Sequence, residues 1–170
     1  DLAFPIAAVI IGVWSRFPDV GDLILVRFYE ECPFLVPFYI PKAAGMSDTD
    51  YLATIGYVYK DGQIEQQDKY LKRMTGIVRL YAAIVSSVPP PSRQQSKPHP
   101  HGIERGWMWL ARMLNLQPRA DYTATALYEF LSVAGHVLMG QYKKQFGKLL
   151  NRSEEHTSEL QSHVRISYAV

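Results

Sequence analysis

EQQDKYLKRMTGIVRLYAAIVSS, residues 65–87, decides the fold. Within it Tyr70, Met74, Ile77, Leu80, Tyr81 and Ile84 recur at steps of three and four, which is the period of a helix burying one stripe. Gly76 interrupts that stretch and weakens the helix by about 1 kcal/mol relative to Ala, unless a neighbouring backbone packs against it. Upstream, Lys60-Asp61-Gly62-Gln63 lies between Tyr57-Val58-Tyr59 and Ile64, and Asp-Gly favours a tight turn, so a small hairpin or a plain loop fits. Ser47, three residues before Asp50, marks the capped start of a short helix through Ile55. The stretch Pro33 to Pro41 contains three prolines and should be extended, with its aromatic side chains covering a core edge.

Two more helices precede it. Asp19 to Glu31 presents Leu23, Leu25 and Val26 as its apolar face and stops at Pro33. Leu2 to Trp14 is uncharged and about 13 residues long, short of the roughly 20 needed to cross a bilayer, and reads as a buried core helix. No basic segment precedes it, so it does not read as a signal peptide. Downstream, Pro89 to Pro91 and the polar run to His101 form a surface loop. Gly102 to Leu116 then carries Trp107, Leu110, Ala111 and Leu114 on one face. Asp121 or Thr123 can cap the last helix, which continues to about Leu150. The expected fold class is all-α, with antiparallel helices in a bundle or helical-repeat layer.

Composition agrees: 170 residues, 48% hydrophobic and 20% charged, can bury one ordinary core without staples. The net charge of +2 is too balanced to argue for nucleic-acid or membrane binding from bulk electrostatics. Cys32, the single cysteine, fits a reducing compartment. Between Glu31 and Pro33 its thiol pKa should rise, which suits a small buried residue and not a nucleophile.

Little else carries chemistry. His99 and His101 lack the Cys or acidic neighbours of a zinc site and read as structural residues at a helix start. No phosphate-binding glycine loop, nucleophile elbow or paired acid–base motif stands out. Basic residues fall in two groups, Lys69, Lys72 and Arg73, and Lys143, Lys144 and Lys148. Either is a solvated face or a patch for an acidic partner. Lys69 and Arg73 share a helix face. After Leu150 the pattern is lost: residues 152–170 look like a translated adaptor sequence, with a natural tail as the alternative, in either case expected to be disordered and separate from a domain over 1–151. The start at Asp1 reads as that of an excised piece.

Several stretches together resemble the C-terminal domain of the GLE-one family of mRNA-export factors. Glu31-Cys32-Pro33-Phe34-Leu35-Val36-Pro37-Phe38-Tyr39 is similar to the family's Cys-Pro-aromatic-x-x-Pro-Phe element. Residues 65–77 resemble the opening of its central helix, His99 to Arg112 the next, and Thr123-Ala124-Thr125 the start of the last. Order and spacing are kept over about residues 3–151, as a truncated domain. The resemblance implies a HEAT-like fold similar to the middle domain of the translation-initiation scaffold. It also implies a place at the cytoplasmic face of the nuclear pore, with nucleoporins as partners. There the family binds a DEAD-box RNA helicase and stimulates its ATPase, in several members with phytate (inositol hexakisphosphate) as a tether. The chemistry then belongs to the helicase, and this chain is no enzyme.

The resemblance also places the phytate pocket. Arg27 matches a basic position of it, but Glu30 and Glu31 stand where the family has lysines. Two reversals of sign should defeat the site, so no cofactor is required here and phytate binding is expected to be weak or absent. An RNA-binding helical scaffold using Lys143 to Lys148, without helicase activation, is the alternative.

Overall fold

The computed structural model describes residues 2–87, 99–119 and 122–151. The helices are α1 (Ala3–Arg16), α2 (Pro18–Glu31), α3 (Asp48–Thr54), α4 (Gln67–Ser86), α5 (Ile103–Asn115), α6 (Thr123–Tyr142) and α7 (144–151), with a 3-10 turn at Pro33–Leu35. β1 (Tyr59–Lys60) and β2 (Gln63–Ile64) form a minimal antiparallel hairpin. The turn between them has Asp61 at φ 54° and Gly62 at φ 78°, the doubly positive geometry that Asp-Gly adopts readily. Ser47 caps α3 as its sequence requires: its Oγ accepts from the Asp50 N–H at 3.1 Å.

Helix α4 is the axis of the fold and packs on α6, α1 and α5. Its stripe is real but wider than its period predicts. Tyr70, Met74, Val78 and Tyr81 are buried, Ile77 and Leu80 only partly so, and 81–86 are buried all the way round. That final stretch separates two cores. Ala82 and Val85 belong to the main core, with Cys32, Phe34, Met113 and Phe130. Ala83 and Ile84 face the smaller one, with Ala7, Ile11 and Trp14 of α1.

Several sequence expectations are corrected. In α2 the buried residue is Gly21, with Leu25 and Phe28 partly covered, while Leu23 is 64% and Val26 50% exposed. The reason is Trp14, whose indole lies flat on the α2 backbone; a Cβ at Gly21 would stand 2.0 Å from that ring. The helix therefore turns its smallest residue inward. Helix α1 is only half a core helix, since Phe4, Ile6 and Val9 are exposed, as is Leu2 just before it.

Helix α5 buries Gly106, Trp109 and Met113 beside Leu110 and Leu114, whereas Trp107 is half-buried and stacks on Tyr142 at 4.1 Å. Of the proline stretch, Phe34 and Leu35 are buried, but Phe38 is exposed. The last helix does not run unbroken to Leu150. Lys143 adopts φ 46°, and α7 begins after it. Thr123 does not cap it either: its Oγ1 accepts from the Arg119 N–H at 2.8 Å. Asp121, the loop over 88–98 and the tail over 152–170 lie outside the described residues.

Gly76 is exposed on α4, and nothing stands within 4 Å of where its Cβ would be. No close approach requires the glycine, so Gly76→Ala should stabilise the protein by about 1 kcal/mol. Urea denaturation of the complete protein checks this; an unchanged or lowered midpoint would count against it.

Candidate functional site

Residues three and four apart on a helix share a face, and this spacing brings Arg27, Glu30 and Glu31 of α2 together. The Arg27 guanidinium donates from Nη1 to Glu30 Oε2 at 2.6 Å and from Nη2 to Glu31 Oε1 at 2.7 Å. All three side chains are more than half exposed, so the pairs add little stability, about 0.2–1 kcal/mol each. Their consequence is electrostatic. The one cation is held between two carboxylates, and the trio carries a net charge of −1.

Behind this trio, the chain turns into the core at Cys32. Its thiol donates to the Met74 carbonyl at 3.8 Å, and burial pushes its pKa up to about 12. Burial causes the rise; the flanking carboxylates do not, which corrects the sequence argument. Glu30 also borders a cavity of about 220 Å³ lined by Tyr29, Phe34, Phe38, Arg119 and Tyr122.

Sequence reading missed the polar cluster at that cavity. Arg119 donates to the Tyr51 hydroxyl at 3.0 Å, and its guanidinium lies 5.4 Å from the Tyr122 ring and 5.8 Å from Tyr39. Tyr39 in turn hydrogen-bonds Thr123 across 2.9 Å, and Phe34 stacks on Tyr122 at 4.3 Å. These residues come from three distant segments, so no local alternation of aromatic and basic residues announces them.

The basic group on α4 is divided. Arg73 donates to Glu65 and to the Gly56 carbonyl, each at 2.8 Å, and lies over the Tyr70 ring. Its hydrogen bond holds the Glu65 carboxyl below its usual pKa range and ties the hairpin to α4. Lys69 and Lys72 remain exposed, as do Lys143, Lys144 and Lys148. Of the α4 group only Lys69 and Lys72 are left exposed, while Arg73 is committed to the fold.

The two histidines are structural. His99 Nδ1 accepts from the His101 N–H at 3.0 Å, which leaves Nε2 to donate to the Ile84 carbonyl at 2.9 Å. His101 is 8% exposed, stacks on Trp14 at 5.1 Å and meets the Tyr81 hydroxyl at 3.2 Å. Burial, then the nearby Arg105, pushes its pKa down to about 4. A histidine whose folded pKa is depressed contributes stability above its unfolded value, near 6.5, and that stability is lost as pH falls toward 4. Between pH 7 and 4.5 the native protein should lose roughly 2 kcal/mol more than a His101→Gln variant. Urea midpoints at the two pH values test this, and equal losses would refute it.

This geometry defines a helical domain with a charged turn on α2 and an aromatic cavity beside it. The chain belongs to the GLE1-like protein family, whose model matches residues 1–153. It is 50% identical over 151 residues to the mRNA export factor GLE1 of Rattus norvegicus, covering 88% of this chain and 21% of that protein. Identity is 44% to Gle1 of Drosophila melanogaster (87% of this chain, 22% of that protein) and 36% to GLE1 of Arabidopsis thaliana (90% and 21%). The chain thus spans about a fifth of the length of these relatives. A solved complex, a variant S. cerevisiae Dbp5 C-terminal domain bound to Gle1 and IP6, contains a similar fold. Its TM-score is 0.83 at 24% identity, over 95% of this chain and 55% of that one. Among the described residues no helix is long and apolar enough to cross a membrane.

Proposed function

We propose that this chain is the helicase-engaging part of an mRNA-export factor. In this reading it binds a DEAD-box RNA helicase at the cytoplasmic face of the nuclear pore and stimulates its ATPase without a phytate tether. Family membership over residues 1–153 carries the reading. The export factors named among its relatives, and the Dbp5–Gle1–IP6 complex formed by a protein of like fold, support it. The α-helices are read as a HEAT-like layer, residues 1–151 as the functional unit, and nucleoporins as further partners. ATP hydrolysis belongs to the helicase. A rigid helical surface that binds one helicase conformation better than another shifts its populations and speeds a slow step of the cycle.

Independence from phytate rests on the α2 trio. Where a polyanion would need converging cations, Arg27 is already paired to Glu30 and Glu31. The test is the steady-state, RNA-dependent ATPase rate of the cognate helicase with the complete protein, with and without phytate. Stimulation that is the same with and without phytate is the expected result. Absence of stimulation by well-folded protein, together with steeply salt-dependent RNA affinity, would favour an RNA-binding scaffold using Lys143, Lys144 and Lys148 instead.

A further inference from the structure

Between α2 and α5 lies a second cleft, of about 310 Å³, that the helicase reading does not use. Tyr29 and Pro37 form one wall, Arg105, Met108 and Arg112 the other, and Trp109 the floor. Steps of three and four place Arg105, Met108 and Arg112 on one stripe of α5, with the two arginines about 10 Å apart along the axis. Both arginines line the cleft together with Tyr29, whose phenol pKa burial raises and the two guanidiniums partly lower. Among the described residues neither arginine has a carboxylate within 4.0 Å, and no acidic residue lines the cleft. His101, at the inner end, is neutral near pH 7. The cleft thus offers two cations around an apolar middle.

We propose that this cleft docks an acidic peptide segment of a partner protein, with two carboxylates flanking one apolar side chain. The carboxylates meet Arg105 and Arg112 in the forked geometry guanidinium favours, and the apolar side chain sits against Met108, whose flexible thioether adapts to different shapes. The volume is at the low end for ligand sites, which suits a few side chains. A polyphosphate would gain nothing from the apolar lining. Nor is the floor a stacking platform for bases: Trp109 is 4% exposed, and its indole N–H already donates to the Phe34 carbonyl at 3.2 Å. Charge complementarity together with an apolar centre selects the peptide.

The test measures fluorescence anisotropy of a fluorescein-labelled Gly-Asp-Glu-Leu-Asp-Glu-Gly peptide with the complete protein carrying this sequence. A control peptide carries Lys in place of each acidic residue. Saturable binding of the acidic peptide alone is expected, weakened about tenfold or more by Arg105→Glu with Arg112→Glu. Arg105→Lys with Arg112→Lys keeps the charge and should retain most of the affinity, while Met108→Ser should lose part of it. Both arginines are exposed, so reversal should leave the thermal midpoint in place. Should the Glu variant fail to fold, Arg112→Gln alone must still weaken binding. No saturable binding, or equal binding by native and charge-altered proteins, would overturn the proposal. So would phytate or an oligouridine binding through Arg105 and Arg112 in place of the peptide. None of these readouts involves the helicase, so failure here leaves the ATPase test untouched, and the converse holds.

Discussion

Glu30→Lys with Glu31→Lys should raise the affinity of the complete protein for phytate by about 100-fold or more. The two substitutions change the α2 trio from a net −1 to +3, and they release Arg27 from the two carboxylates that now hold it. Each new charge is solvent-exposed, so its contribution is screened and the gain should fall as salt is added. Phytate concentrates many negative charges in one small ring, which is why four units of charge produce so large a change. Calorimetry at two salt concentrations reads the effect directly. Micromolar or tighter binding by the native sequence would refute the claim that the acidic pair abolishes the site. In the helicase assay with the same substitutions, phytate should raise the stimulation above the level reached without it.

Phe130→Ala should cost about 3–5 kcal/mol of stability. Phe130 is completely buried on α6, with its ring 4.4 Å from Trp109 and 6.4 Å from Tyr81. It also fills the space that Gly106 leaves open, since a Cβ there would stand 3.2 Å from the Phe130 Cζ and 2.9 Å from Val85. Three helices therefore meet on one ring. Chemical denaturation with an unchanged slope should show the loss, and a change below about 1 kcal/mol would mean that the seam collapses to fill the void.

Where sequence and structure agree, the signal is local. The α4 stripe, the Ser47 cap and the Asp61-Gly62 turn each depend on residues within one helical turn or one hairpin. Helical spacing also brings Arg27, Glu30 and Glu31 together, although the family resemblance, not the spacing, singles them out. Where the reading failed, a distant partner decides. Gly21 faces inward because Trp14 lies on it, and no property of α2 alone reveals that Leu23 and Val26 must then turn outward. Trp109 is buried where the helical pattern pointed to Trp107, because it meets Phe130 and the Phe34 carbonyl, both distant in sequence. Arg73 looked like part of a cationic patch until Glu65 and Gly56, across the hairpin, claimed it. The Arg119 cluster joins segments more than sixty residues apart, and no periodicity can register that. The break at Lys143 is a backbone event for which its side chain gives no warning.

Cys32 gives the molecule a built-in reporter. It is the only thiol in the sequence, has no exposed surface, and lies one residue beyond the charged turn of α2. A maleimide or disulfide reagent can reach it only when the main core opens around Phe34 and Met74. Under native conditions its labelling rate therefore counts those openings one molecule at a time. A partner that clamps α2 onto α4 would slow the reaction without touching the sulfur, so the thiol can register occupancy of a surface it never sees.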